Sequence, residues 1–283
     1  MAGGPYPVVD DATPPDGTFS GENDPMRDDA ADAMLFGIPF PRLSWVEARD
    51  ELLAGLGRRR AVAFPDMSTL NIVRQRPGFG ALLRDRFTTF NDGAGLALAA
   101  RIRRRPLPAN LNGTELIPAV LAGAPPGTRV YLLGATEQVV TRAAEVLAET
   151  HRHLEFVGAQ HGYFEAAAEA TVIDAVADAG PDVVLVGMGN PRQVEVIGRH
   201  LDDPRFPTTT WFAVGGLLDY FGGTLERAPS WMIRARLEWL HLMISNPTKL
   251  RRYVIGIPRF VVATVATECR GRHDRLPDVA VSR

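Results

Sequence analysis

The sequence predicts an α/β protein whose mostly parallel, Rossmann-like sheet is covered by helices on both faces. Three segments carry continuous apolar residues bounded by turn residues: RVYLLGA at 129–135, PDVVLVGMG at 181–189 and TTTWFAVGG at 208–216. Amphipathic stretches of helical length separate them. Continuous apolar strands that alternate with helices are typical of a parallel sheet buried between two helix layers. Ligands of such sheets bind at the carboxyl ends of the strands.

The individual elements are predicted from about Phe36 onward. Ser44 is placed to cap a helix from Trp45 to Leu56, and a short buried strand follows at 61–64. A further helix is predicted from Leu96 to Arg104. The alternating pattern then predicts strands at 129–135, 154–159, 181–189 and 208–216, with helices at 137–149, 164–179 and 193–201 between them.

Charge and composition divide the chain into three parts. Residues 1–33 carry eight acids and one base with few large apolar side chains, which predicts a disordered acidic tail rich in Pro and Gly. Residues 34–224 form the predicted α/β core. Residues 225–283 carry eleven bases and five acids, and they are predicted to form a helical appendage rich in Arg and aromatic residues, followed by a polar tail.

Several classes of protein are disfavoured. One cysteine, Cys269, and an N-terminus without a signal-peptide pattern indicate a cytoplasmic protein, and no apolar run reaches the roughly 18 residues of a membrane span. The chain has no P-loop, no dinucleotide-binding GxGxxG in the right setting, no DxD motif and no HExxH motif. We therefore expect no cofactor and no protein-bound metal. Nucleic-acid motifs are also absent, so no nucleic-acid partner is expected.

Glycine-rich turns follow three of the predicted strands. They contain Gly134, the segment from Gly187 to Gln193, and the pair Gly215 and Gly216. Glycine lets a backbone approach a phosphate closely, and the helix that follows offers free N–H groups. Such turns are also ordinary connections in α/β proteins. Three of them on one sheet edge favour a ligand cleft.

Polar residues in other connections are candidates for chemistry. Asp92, in a glycine-flanked turn, is either a general base or the N-cap of the next helix. Thr69 and Asn71, after the strand at 61–64, offer a hydroxyl and an amide to the same cleft, or else another helix cap. His161 lies between a strand and a helix, as a ligand or as a hydrogen-bonded loop residue.

The last fifth of the chain interleaves arginines with aromatic residues. Arginine binds phosphate in a bidentate manner, and helices with basic and aromatic residues settle at membrane interfaces. The alternative is a solvated basic face. The apolar residues on all sides of the segment 231–244 disfavour it, because they need another surface to cover them. The arginines are Arg227, Arg234, Arg236, Arg251, Arg252 and Arg259, among Trp231, Trp239, Tyr253 and Phe260.

Eight motifs together resemble one known family. They are TLN (69–71), NDGAG (91–95), NGTEL (112–116), VYLLGA (130–135), VGAQHGYF (157–164), PDVVLVGMGNPRQ (181–193), AVGGLLDYFGG (213–223) and RAPSWMIRARLEWL (227–240). In this order they resemble the WecG/TagA/CpsF glycosyltransferases, from about residue 36 to about residue 255.

The resemblance implies an inverting, metal-independent transfer of a sugar from a UDP-sugar, typically UDP-N-acetylmannosamine, to a polyprenyl-diphosphate-linked sugar in cell-envelope polysaccharide synthesis. It implies that Asp92 is the base and that Thr69 and Asn71 line the same pocket. Gln193 is expected beside the sugar.

The resemblance also implies binding residues and partners. The nucleotide-sugar side is expected at Gly134, His161, Gly187, Gly189, Asn190, Pro191, Gly215, Gly216 and Asp219. The acceptor diphosphate is expected at Arg227, Arg234, Arg251 and Arg252. These arginines would hold the protein as a peripheral enzyme at the inner face of the cell membrane. A homo-oligomer remains open.

The chain departs from the family pattern at two places. Val194 follows Gln193 where the family has glutamate, which leaves the donor sugar open between N-acetylmannosamine and a related hexose. Leu242 and the pair Thr248 and Lys249 replace arginines, which affects acceptor recognition. The alternative function is a non-catalytic nucleotide-sugar-binding or scaffold protein. An NAD-type oxidoreductase is disfavoured by the missing fingerprint.

Overall fold

Six parallel strands form the central sheet in a computed structural model that describes residues 32–224, 260 and 262–266. They are β3 (Arg60–Ala63), β4 (Phe87–Thr89), β5 (Arg129–Gly134), β6 (Glu155–Gln160), β7 (Val183–Gly187) and β8 (Thr210–Ala213). The strands lie in the order β4, β3, β8, β7, β5, β6, and every neighbouring pair is parallel. The predicted fold class is therefore confirmed.

Helices cover the sheet on both faces. On one face lie α2 (Met67–Gln75), α3 (Pro77–Arg86), α4 (Ala94–Ile102), α7 (Glu169–Asp178) and α8 (Arg192–His200). On the other lie α1 (Trp45–Ala54), α5 (Gly113–Gly123), α6 (Glu137–Thr150) and α9 (Leu217–Phe221). Strand β7 is apolar throughout because both of its faces are buried. Val184 and Val186 pack against the helices of the first face, and Val183 and Leu185 pack against those of the second. A strand buried on both sides has no polar positions.

The direction of each connection decides which face its helix covers. The connections from β3 to β4, from β6 to β7 and from β7 to β8 run one way along the sheet through α2, α3, α7 and α8. The connection from β5 to β6 runs the other way through α6. When all crossover connections have the same hand, connections that run in opposite directions along the sheet place their helices on opposite faces. The direction therefore switches between the neighbouring strands β5 and β7, where open α/β sheets form their ligand crevice.

The helix and strand bounds predicted after residue 128 agree with the structure to within a few residues. Ser44 caps α1 as predicted, in a capping box with Glu47, and the helix ends at Ala54 rather than Leu56. The helix predicted at 164–179 is a 3-10 turn at Ala166–Ala168 followed by α7. The turn predicted to carry Asp92 begins after Thr89, because Thr88 and Thr89 belong to β4.

An antiparallel hairpin precedes the sheet and was not predicted. It consists of β1 (Ala33–Leu35) and β2 (Ile38–Phe40), joined through Phe36, which adopts a positive φ of 53°, and Gly37. The Phe36 ring lies 5.7 Å from the ring of Phe260, which is 1% exposed and stands in the region predicted as an appendage. This part of the C-terminal region therefore contributes to the core. The rest of the predicted tail and appendage lies outside the described residues.

Within the described ranges, no helix is long and apolar enough to cross a membrane.

The end of α6 contains a buried histidine that couples stability to pH. His151 is 8% exposed, and burial, followed by the nearby His153, lowers the pKa of its ring. Because the pKa is lower in the folded chain than in the unfolded one, the unfolded chain takes up a proton first as the pH falls below about 6.5. The contribution of neutral His151 to stability is therefore complete above that pH and is lost below it.

We expect replacement by an uncharged side chain to remove part of this pH dependence. Between pH 7.5 and pH 5.5, the free energy of unfolding measured with urea should fall less in His151→Gln than in the original chain. Above pH 7 the two proteins should have parallel pH profiles. Equal losses on acidification in both proteins would contradict this role.

Candidate active site

The carboxyl ends of the six strands lie along one edge of the sheet and carry the predicted site residues of the described range. Asp92 follows β4, the group around Gly187 to Gln193 follows β7, Gly215 follows β8 and His161 follows β6. Because β4 and β6 are the outermost strands, Asp92 and His161 stand at opposite ends of this edge, on the order of 20 Å apart. The predicted residues are therefore spread along the whole edge rather than gathered at one point.

Three strand ends touch each other through glycine. A Cβ atom at Gly134, the last residue of β5, would lie 2.3 Å from the carbonyl oxygen of Gly187 at the end of β7. A Cβ atom at Gly187 would lie 2.8 Å from the carbonyl oxygen of Gly215. Packing therefore accounts for Gly134 and Gly187 without a ligand. Gly189 and Gly215 are different: they have φ of +71° and +57°, and no described atom lies within 4 Å of a Cβ built on them.

The loop that carries Asp92 is held by neighbours on both sides. The Asp92 N–H donates to the carbonyl of Pro65 at 3.1 Å, and the Gly93 N–H donates to Asn110 Oδ1 at 2.7 Å. Fully buried Asn91 donates from Nδ2 to the carbonyl of Ala109 at 2.9 Å. The backbone on both sides of the Asp92 carboxylate is therefore fixed.

Asp92 does not cap the next helix, so that interpretation is wrong. Gly93, which has no side chain, is the N-cap of α4. Asp92 is half-buried.

Thr69 and Asn71 lie in α2, and neither of them caps it. Asp66 is the N-cap, and its Oδ1 accepts hydrogen bonds from the backbone N–H of Thr69 at 2.8 Å and from its hydroxyl at 2.7 Å. Thr69 is 1% exposed, so it lies beneath the loops. Asn71 is half-buried, and its Oδ1 accepts from Arg74 Nη1 at 3.1 Å.

A chain of side-chain hydrogen bonds connects three of the strand ends. Asn190 Nδ2 donates to Thr69 Oγ1 at 2.9 Å, and Gln193 Nε2 donates to Asn190 Oδ1 at 3.1 Å. The Gly215 N–H donates to Gln193 Oε1 at 3.0 Å. Gln193 is 3% exposed, whereas Asn190 is half-buried. Asn190 is therefore the most accessible side chain in this hydrogen-bond chain.

The far end of the edge is built around His161 and Arg192. His161 is half-buried, and within the part of the chain that the structure describes its ring forms no hydrogen bond, so the hydrogen-bonded-loop interpretation finds no support there. The Gly162 N–H donates to the carbonyl of Ala135 at 3.0 Å, which joins this loop to the end of β5. Arg192, the first residue of α8, lies over the Phe164 ring, 4.6 Å from its centroid, and donates to the Phe164 carbonyl.

Two further predicted residues flank these groups. Pro191, joined to Asn190 by a cis peptide bond, is the N-cap of α8. Asp219 lies in the first turn of α9, after Gly216, which is the N-cap of that helix. The four arginines predicted for the acceptor diphosphate, Arg227, Arg234, Arg251 and Arg252, lie outside the described residues.

Three residues of this edge were missed by sequence reasoning. Asp66 was detectable, because Asp before a helix, with a hydroxyl residue three positions later, is a capping pattern. Arg192 was also detectable, because it begins a predicted helix directly after a Gly-Asn-Pro turn. Asn110 gave no local signal, since its bond to Gly93 spans 17 positions. Among the described residues, no group of three His, Cys, Asp or Glu side chains could together hold a metal ion.

The fold and this edge define an open α/β protein whose loops at the strand ends gather a carboxylate, amides and glycine turns. The chain belongs to the glycosyltransferase WecG/TagA/CpsF family, whose sequence pattern matches residues 33–274. The resemblance noted in the motifs is confirmed by this match.

Three relatives carry the name N-acetylglucosaminyldiphosphoundecaprenol N-acetyl-beta-D-mannosaminyltransferase. A relative from Bacillus spizizenii is 32% identical over 197 residues, which cover 69% of this chain and 74% of the relative. One from Bacillus subtilis (strain 168) is 30% identical over 199 residues, covering 69% and 75%. One from Staphylococcus aureus (strain MW2) is 33% identical over 171 residues, covering 60% and 65%.

The contact between Gly134 and Gly187 predicts a strong effect of a single methyl group. In Gly134→Ala the new Cβ atom meets backbone, which cannot rotate away, so the ends of β5 and β7 must separate. We expect a loss of about 1–3 kcal/mol in the free energy of unfolding, measured with urea.

The matched control is Gly78→Ala in α3, where the added Cβ atom meets no described atom within 4 Å. Alanine favours a helix over glycine, so this variant should be as stable as the original chain or more stable. Equal stability of the two alanine variants would show that the strand ends are not tightly packed.

Proposed function

We propose that this protein is an inverting glycosyltransferase that moves a sugar from a UDP-sugar to a polyprenyl-diphosphate-linked sugar in cell-envelope polysaccharide synthesis. The observation that carries the proposal is the position of Asp92, half-buried on a clamped loop at the ligand edge of a chain that belongs to this family. The names of the relatives support a lipid-diphosphate sugar as acceptor and N-acetylmannosamine as the transferred sugar.

In the proposed step, the Asp92 carboxylate takes the proton from the acceptor hydroxyl as that oxygen attacks the anomeric carbon of the donor. The new C–O bond forms on one face of the sugar, while the bond to the diphosphate breaks on the other face and UDP departs with the electron pair. One displacement with an oxocarbenium-like transition state inverts the anomeric configuration. Fixed backbone around Asp92 supports this role, since a general base must be held within hydrogen-bond reach of its proton.

The departing diphosphate needs hydrogen-bond donors or positive charge. Backbone N–H groups at the helix starts after β5, β7 and β8, together with Arg192 beside Phe164, are suited to it. We infer a metal-independent reaction from the missing DxD motif. The donor sugar is N-acetylmannosamine or a related hexose, because Val194 departs from the family pattern.

The acceptor and the membrane are assigned to the C-terminal region. Arg227, Arg234, Arg251 and Arg252 would bind the lipid diphosphate, and the aromatic residues among them would rest at the inner face of the cell membrane as a peripheral contact.

The first test replaces the base. Asp92→Asn keeps the shape of the side chain but removes its ability to accept a proton, so kcat should fall by roughly 10²–10⁴ while the affinity for UDP stays unchanged. Transfer is measured with a panel of UDP-sugars and a short-chain lipid diphosphate that carries N-acetylglucosamine, and UDP binding by calorimetry.

The control is Asp85→Asn, which removes an exposed carboxylate at the opposite edge of the sheet, where it pairs with Arg84. It should transfer sugar at the original rate. Full activity of Asp92→Asn would disprove the base assignment. UDP binding without turnover by the original chain, with any donor, would favour the non-catalytic binding protein instead.

The second test concerns the arginines. Arg251→Glu with Arg252→Glu should weaken binding to vesicles that contain anionic lipid and polyprenyl diphosphate by at least roughly tenfold, without a change in UDP affinity. Co-sedimentation measures the vesicle binding. The control reverses two exposed charges elsewhere, Arg84→Glu with Arg142→Glu, and should bind vesicles normally. Equal binding by both double variants would place the lipid contact elsewhere.

A further inference from the structure

Asp66 is a carboxylate of the ligand edge to which the proposed reaction gives no role. It lies between β3 and α2, next to Pro65, whose carbonyl accepts from the Asp92 N–H and holds that loop. Its Oδ1 accepts both the backbone N–H and the hydroxyl of Thr69. The second of these bonds is not needed to cap α2, because the backbone bond alone does that.

The hydroxyl bond sets the direction of the whole hydrogen-bond chain. A carboxylate can only accept, so Thr69 must donate its hydroxyl hydrogen to Asp66 and must accept from Asn190 Nδ2. At the other end, the backbone N–H of Gly215 can only donate. With both ends fixed, the side-chain amides of Asn190 and Gln193 have one orientation each that satisfies every bond.

Burial makes this chain hard to break. Thr69 is 1% exposed and Gln193 is 3% exposed, so water cannot replace a lost partner easily. Asn190, in the middle, is only half-buried. It keeps one N–H and one oxygen lone pair beyond the chain, in an orientation that the two buried neighbours determine.

We propose that Asp66 is a positioning residue for the glycosyl transfer proposed above: through Thr69 it orients the amide of Asn190, and through Gln193 it holds the loop after β8. The inference rests on the proposed function. Asp66 itself takes no proton in this role. It makes the cleft after β7 and β8 rigid before the sugar nucleotide arrives, so that no binding energy is spent on ordering these groups.

The sharpest test is Thr69→Val, which replaces the hydroxyl with a methyl group of similar size. The backbone N–H of residue 69 still caps α2 through Asp66, but the link to Asn190 is lost. We expect kcat to fall roughly tenfold, with a smaller change in KM for the donor, as for the loss of one oriented hydrogen bond.

Two substitutions at position 66 separate the carboxylate from its charge. Asp66→Ala removes both bonds to Thr69, so it should lose at least as much kcat as Thr69→Val. Asp66→Asn retains an oxygen that can accept both bonds, and it should restore most of the activity that alanine loses. The control is Thr209→Val, at a residue equally buried just before β8, whose hydroxyl bonds to the carbonyl of Pro181 at the opposite edge. It should leave kcat unchanged.

A second measurement follows the chain without catalysis. In amide NMR spectra, the Gly215 backbone signal and the side-chain NH₂ signals of Asn190 and Gln193 should shift in Thr69→Val and Asp66→Ala. They should stay in place in Thr209→Val. A purely structural contribution of Thr69 would lower the melting temperature without moving kcat at temperatures where the chain is folded.

The outcomes distinguish the two proposals. An active original chain whose kcat and Gly215 signal are both unaffected by Thr69→Val overturns the positioning role of Asp66 and leaves the transferase intact. An original chain without any transfer activity overturns the proposed function and the catalytic role of Asp66 with it. Loss of kcat in Asp66→Asn equal to that in Asp66→Ala would assign the effect to charge and would overturn the positioning role.

Discussion

Backbone contact between the ends of β5, β7 and β8 is the constraint on which the ligand edge depends. Only glycine fits where Gly134 meets Gly187 and where Gly187 meets Gly215. The N–H of Ala135 continues this contact by donating to the Gly187 carbonyl at 2.9 Å. Because no side chain separates the three strand ends, the loops that lead from them to α6, α8 and α9 start close together. The glycines therefore fix the spacing of the loops that line this edge.

The sheet was predictable because burial on both faces leaves a plain signal, a continuous apolar run such as VVLV in β7. The hairpin β1–β2 and strand β4 gave no such signal. Each has three residues per strand, and β4 ends in two threonines. The two strands of the hairpin pair with each other, and β4 is a strand because β3, much earlier in the sequence, pairs with it.

The candidate site was predictable to a different degree at each residue. Asp92 and the glycine turns were found because a polar or flexible residue after a strand is a local pattern. The roles of Thr69 and Gln193 were not, since their partners lie 121 and 22 positions away along the chain. Sequence resemblance suggests that both residues meet the substrate. The structure adds that both are buried and are bonded to Asn190 and Gly215, which no local pattern predicts.

The fixed direction of the hydrogen-bond chain from Gly215 to Asp66 also has an evolutionary consequence. Each middle member, Thr69, Asn190 and Gln193, both donates and accepts. Changing one of them alone to a side chain that cannot do both leaves a neighbouring donor or acceptor unpaired, which is costly inside the protein. Substitutions at these positions should accordingly be inherited as a set, and sequence divergence within the family should show them covarying across two loops and a helix rather than drifting one at a time.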